Sequence, residues 1–132
     1  MRADRDRVTL ADVALLVHDQ DEALAFYCGR LGFELAGDAI VAGKRRVAIR
    51  AGAARLVLRR AVTDAQRAAV GHQAAGAVFL YLETADFDAT YARLVAAGVQ
   101  FTEPPRREPY GTVAVFVDLY GNRIDLIEPS AT

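Results

Sequence analysis

The sequence predicts an α+β fold: two tandem βαβββ modules whose strands form a cupped mixed β-sheet with the helices on its outer face. Three observations carry this. Short stretches alternate apolar and polar residues, as Val13, Leu15 and Val17 do, which marks strands with one buried face. Two other stretches repeat apolar residues at helical spacing, each opened by an aspartate and closed by a glycine. Finally, the order strand, helix, three strands occurs twice. Gly32-Phe33 and Gly98-Val99 each end a helix and start a strand, about half a chain apart.

At 132 residues, 53% of them hydrophobic, the chain is one domain with enough apolar surface for a packed interior. The expected division is a first module over 9–61, a linker over 62–76 and a second module over 77–129. A net charge of −1 offers no basic field to nucleic acid or an anionic membrane. No apolar run is long enough to cross a bilayer, so no membrane association is expected. The start, Met1 to Arg7, reads as a polar tail without the apolar stretch of a signal peptide. The single Cys28 excludes an internal disulfide and suits a reducing cytoplasm; it reads as a small helix-packing residue.

In chain order, Thr9 to Val17 alternates as the first strand, with Asp12 on the face opposite Val13, Leu15 and Val17. Asp19, with Glu22 three residues on, opens a helix carrying Leu24, Phe26, Tyr27 and Leu31. Gly32 stops it. A second strand begins at Phe33 to Leu35, and Gly37-Asp38 reads as a turn. Arg45–Ala51 and Arg55–Arg60 are the third and fourth strands, with Val47, Ile49, Leu56 and Leu58 inward. Thr63 to Val70 reads as a short helix and 71–76 as a loop.

The second half repeats the scheme. Val78, Leu80 and Leu82 share one strand face. Asp86 or Thr84 caps a helix with Phe87, Tyr91, Leu94 and Val95, ended by Gly98. A short strand runs from Val99 to Thr102. Pro104, Pro105 and Pro109 mark a rigid exposed connection. A closing hairpin follows: Thr112–Asp118, a turn at 119–122, and Arg123–Glu128, with Ile124 and Leu126 on one face and Asp125 on the other.

Strand alternation places Asp12, Arg46, Arg50, Arg59, Phe79, Tyr81, Glu83, Arg123 and Asp125 on the bare face, with Val57 beside Arg59. Aromatic rings beside charges suit a flat, partly polar organic ligand. The arginines grip a carboxylate or phosphate, or merely solvate the rim. Asp12 and Asp125 are read on corresponding outer strands. If the cup closes they meet as an acid–base pair; otherwise each pairs with a neighbouring arginine. His18 is expected beside the helix cap and His72 in the linker loop, where its functional reading is a lid over the cavity mouth.

At this point the chain resembles the vicinal oxygen chelate superfamily, which includes glyoxalase I, extradiol dioxygenases and fosfomycin- and bleomycin-resistance proteins. The matching segments are Val17-His18-Asp19, Ala25-Phe26-Tyr27, Leu31-Gly32-Phe33-Glu34, Asp86 to Leu94, Ala97-Gly98-Val99, Asp118 to Asn122 and Arg123 to Glu128. They span the chain from about Leu10 to Pro129. Metal-dependent members of the resembled family place ligands at four strand positions, which here hold Asp12, Val57, Phe79 and Asp125. The resemblance therefore implies a bleomycin-resistance-like protein without metal or other cofactor, sequestering an aromatic or anionic compound. The alternative is a glyoxalase-like lyase or isomerase, or a dioxygenase-type enzyme, using Asp12 and Asp125 as acid and base or as weak metal ligands. The resemblance and the sheet edges of so short a chain also imply a homodimer, with the modules paired within a chain or swapped between chains.

Overall fold

The computed structural model describes residues 5–131; the first four residues of the expected polar tail lie outside the described residues. The first half contains β1 (Val13–Val17), α1 (Gln20–Leu24, continued by a π-helical turn over Ala25–Arg30), β2 (Glu34–Val41), β3 (Lys44–Ala51) and β4 (Ala54–Arg60). After α2 (Asp64–Ala69) come β5 (Val78–Glu83), α3 (Phe87–Ala96), β6 (Gln100–Phe101), β7 (Arg106–Glu108), β8 (Gly111–Val117) and β9 (Arg123–Pro129). The sheets are ordered β1-β4-β3-β2 and β5-β9-β8-β6, with β7 also paired to β8. In each, the first strand runs parallel to the last and the others are antiparallel. The α+β reading, its duplication and its mixed sheets are what the structure shows.

Local chemistry places the elements. The Asp19 carboxylate accepts the Glu22 backbone N–H at 2.8 Å and opens α1. Asp86 does the same for Ala89 at α3. Thr63 and Gln66 form a reciprocal capping box at α2. Three boundaries differ from expectation. β1 starts at Val13, leaving residues 9–12 outside the strand. Gly37-Asp38 is no turn: β2 passes through it with a bulge between Leu35 and Gly37, and Asp38 holds Arg45 on β3 through two bonds of 2.9 and 2.8 Å. The turn falls later, at Ala42-Gly43. The proline-rich connection contains β7, whose three residues lie between Pro105 and Pro109 and keep their N–H groups for pairing.

The inward faces of both sheets and of α1 and α3 belong to one core, including Leu15, Val17, Tyr27, Ile49, Phe116 and Ile124. Each helix backs its own sheet and also reaches the other half. α1 lines a hollow of about 310 Å³ with Gly98, Gln100, Val117 and Asp118. α3, through Thr90, Arg93 and Leu94, lines one of about 480 Å³ with Leu31, Phe33, Ile49 and Ala51. Each helix thus shares a hollow with strands of the opposite sheet, α1 with β6 and β8 and α3 with β3. Had β1 and β5 been joined edge to edge within the chain, β6 and β8 would lie at the far rim, beyond reach of α1. No ladder joins β1 to β5. The two sheets therefore sandwich the helices, and their bare faces point away from the shared core and from each other.

The seam between the halves is polar. The Tyr27 hydroxyl donates to Asp118 at 2.6 Å, and the Tyr120 hydroxyl to Glu22 at 2.6 Å. The ring of Tyr120 packs edge-on against His18. Gln73, in the segment before β5, accepts from the Leu16 N–H and donates to the Ala14 carbonyl, covering part of the free edge of β1.

Candidate functional site

The bare face of the first sheet carries Asp12, Arg46, Arg50, Arg55, Val57 and Arg59, since Ala48 pairs with Val57 and Arg50 with Arg55. Asp12 is not free. Arg46 Nη2 lies 2.7 Å from its Oδ2 and Arg55 Nε 2.8 Å from its Oδ1, and only 15% of its side chain is exposed. Arg50 is tied to Glu34 at 2.9 Å. Val57 and Ala48 are buried beneath these charges and form an apolar floor. Arg59 is exposed. The reading in which Asp12 pairs with neighbouring arginines is the one the structure shows; Arg55, its second partner, was not among the expected site residues.

On the second sheet, Tyr81 pairs with Asp125, Glu83 with Ile127, and Asp125 with Val115 on its other side. Val113 and Val115 are buried, 3% and 5% exposed, whereas Tyr81 stands 71% exposed. Arg123 pairs with Val78 rather than Phe79, because β5 has a bulge between Val78 and Leu80. Phe79 falls in that bulge and packs against the core. The insertion shifts the alternation by one residue, so a strict two-residue period misplaces this ring.

Asp125 differs from Asp12 in having no ion pair. Its Oδ1 is buried and has no hydrogen-bond partner within the protein; Asp12 Oδ1 also lacks a well-aligned hydrogen bond, but Arg55 Nε lies 2.8 Å from it. Its pKa lies above the ordinary 3.8, because burial disfavours the charged form more than Arg106 and Arg123 favour it; Glu103 pushes the same way as burial. The folded state therefore holds this proton more tightly than the unfolded chain does. The contribution of Asp125 to stability is greatest below pH 3.8 and declines as pH rises through the folded value. Asp125→Asn removes that decline. Its melting temperature should exceed the parent's at neutral pH, with the gap closing toward pH 3.8, in melts run from acid to pH 8. A gap independent of pH would refute the assignment.

Asp12 and Asp125 are not brought together within the chain. The partners of Asp12 belong to the first half, and the charged groups acting on Asp125 belong to the second. Nor are they on corresponding strands. Asp12 precedes the edge strand β1, whereas Asp125 lies on β9, the counterpart of β4. The duplication matches Asp125, between Ile124 and Leu126, to Val57, between Leu56 and Leu58.

Among the described residues, no three His, Cys, Asp or Glu side chains are grouped as ligands for a metal ion. Of the four positions used by metal-dependent relatives, one is clasped by two guanidiniums, one is valine and one is a phenylalanine in a bulge. That donor set does not fit Zn²⁺ or Fe²⁺. His18 and His72 are exposed, outside both bare faces. Cys28 is half-buried against the core, and burial raises its thiol pKa. The 480 Å³ hollow opens between the halves, not on a bare face, although Tyr81 and Glu83 reach its wall.

Two half-sheets, each backed by a helix and bare on its other face, define a paired-βαβββ protein. The chain belongs to the Glyoxalase/Bleomycin resistance protein/Dioxygenase superfamily, whose model matches residues 9–126. An uncharacterized protein of Shewanella frigidimarina (strain NCIMB 400) is 42% identical over 125 residues, covering 91% of this chain and 93% of the relative. Among solved structures, UcmS2 superposes with a TM-score of 0.80 at 33% identity, covering 92% of this chain and 98% of its own. TnmS3, an antibiotic binding protein from Streptomyces sp. CB03234, gives 0.75 at 30% identity, covering 95% and 98%.

Proposed function

We propose that this protein binds and sequesters a small aromatic or anionic compound without transforming it, in a hollow completed by a second copy of the chain. The observation that carries the reading is the state of the bare faces. They hold an apolar floor, an exposed tyrosine and several arginines, while the carboxylate best placed to act as a base on the first sheet is neutralised by two guanidiniums. The likeness to TnmS3, an antibiotic binding protein, supports the same reading. Arg46, Arg50, Arg59 and Val57 then line one wall, and Tyr81, Glu83 and Arg123 the other. The lone Cys28 fits work in a reducing cytoplasm.

The sandwich supports dimerisation in this reading, because a bare face with no opposing wall encloses nothing. The faces are complementary: four arginines against Asp12 and Glu34 on the first, and Arg106 and Arg123 against Glu83, Glu108 and Asp125 on the second. Pairing the first sheet of one copy with the second sheet of its partner satisfies both. Val8, Leu10 and Val13, exposed beside β1, supply apolar surface for that contact.

The test combines light scattering with a thermal-shift and calorimetric screen of aromatic antibiotics, aromatic carboxylates and divalent metals. The expected results are a dimer mass at micromolar concentration, substoichiometric metal, and at least one organic compound that raises the melting temperature and is recovered with unchanged mass. A monomer, one tightly held ion per chain, or no binding would overturn the reading. The second reading, metal-free acid–base catalysis, is favoured by one observation, the unpaired oxygen of Asp125 with its raised pKa. A bound compound recovered as product, with loss of turnover in Asp125→Asn, would establish it instead.

A further inference from the structure

We infer that Asp125 is the specificity-determining group of the hollow and that it selects compounds presenting a hydrogen-bond donor, a protonated amine or a phenol, from an aromatic frame. This rests on the binding reading above and adds the chemical class of the ligand.

The inference starts from the duplication. Val57 and Asp125 occupy equivalent places, each flanked along its strand by two core residues and across the sheet by its neighbours. On the first sheet those neighbours are Ala14 and Ala48, and valine completes an apolar floor. On the second they are Tyr81 and Val115. The fold therefore accepts an apolar side chain at this position and has no structural need of a carboxylate. A carboxylate is nevertheless present, with Oδ1 buried and unbonded. Leaving such an atom without a donor is costly in the free protein. Neither Arg106 nor Arg123 forms an ion pair with it; Arg106 is turned to Glu103 and Glu108. Tyr81, its registered neighbour, presents an exposed ring against which an aromatic ligand can stack. Both groups lie on one copy of the chain, so the pairing of ring and carboxylate does not wait on how the dimer closes.

The recognition follows directly. An aromatic compound stacked on Tyr81 and carrying an amine or hydroxyl toward β9 meets the carboxylate at Oδ2, the oxygen that is not buried, and gives the unbonded group a donor. The same frame carrying a carboxylate meets like charge and is rejected at this wall.

Three naphthalenes of one size serve as probes: 2-naphthylmethylamine, 2-naphthol and 2-naphthoate. Binding to the dimeric full-length protein is followed by NMR shifts of the Tyr81 ring and the Asp125 carboxyl at pH 7.5. The amine is expected to bind at least about tenfold more tightly than the carboxylate, with the naphthol between them. Asp125→Asn should reduce that ratio to about twofold, and Asp125→Val, which copies the first half, should abolish it with no loss of melting temperature. Equal binding of the three probes, or a preference that survives both substitutions, would overturn the inference while leaving sequestration intact. An antibiotic bound without any shift at Asp125 would overturn it as well. Absence of binding by every compound in the wider screen strikes instead at the binding reading on which it rests.

Discussion

Replacing Asp118 by alanine is expected to lower the unfolding free energy by about 3–5 kcal/mol. For a domain of this size that lowers the melting temperature by on the order of 10–20 °C. Asp118 is only 4% exposed yet accepts four hydrogen bonds. Oδ1 takes the backbone N–H groups of Tyr120 and Asn122, each at 2.9 Å; Oδ2 takes the Asn122 amide at 2.9 Å and the Tyr27 hydroxyl at 2.6 Å. Burial first, and then the charge of Asp118, holds the Tyr27 phenol far above its ordinary pKa, so it remains a donor throughout the working range. Alanine strands all four donors at once. They include the turn between β8 and β9 and the one fully buried tyrosine that ties α1 of the first half to the second. Asp118→Asn keeps one acceptor oxygen and should lose only about 1–3 kcal/mol. Denaturant melts of the two variants check the order. A melting temperature within about 2 °C of the parent's for the alanine variant would show that the carboxylate does not hold the halves together.

That cluster also shows where the sequence is legible. The turn at 119–122 is readable, and an aspartate immediately before it is the residue type whose side chain captures N–H groups further along the turn. Tyr27 is readable as a core position of α1. Their hydrogen bond spans 91 residues, and no local pattern places one opposite the other. The same limit governs the packing of the halves. Where no bulge interrupts a strand, alternation gives its inward face, as Leu56, Leu58, Ile124 and Leu126 show. It does not say whether two such sheets lie edge to edge or back to back, because both arrangements bury the same residues. Hence the bare faces are read well, while the meeting of Asp12 and Asp125 is not. Phe79 is lost to a bulge and β2 to a glycine read as a turn; in both, one extra residue changes the register without changing the composition.

Gly71→Ala is expected to cost about 3–5 kcal/mol, more than a left-handed backbone alone explains. Gly71 has φ +82°, and a Cβ built there would lie 2.1 Å from the Tyr120 carbonyl oxygen and 3.0 Å from its carbon. These are backbone atoms, so no rotamer change relieves the contact. Gly76 provides the comparison, with φ +91° and open space where a Cβ would stand. Gly76→Ala therefore pays only the conformational penalty, about 1–2 kcal/mol. The difference between the variants measures how tightly the segment before β5 is pressed against the β8–β9 turn. That approach sets the position of Gln73, whose backbone N–H donates to Asn122 Oδ1 at 3.0 Å while its side chain occupies the edge of β1 at Ala14 and Leu16. Pushing the segment away frees that edge. Gly71→Ala should accordingly speed amide exchange at Leu16, which Gly76→Ala leaves unchanged. Equal losses of stability in the two variants, with Leu16 equally protected, would mean that the segment gives way without strain and that the edge of β1 is guarded by something other than Gln73.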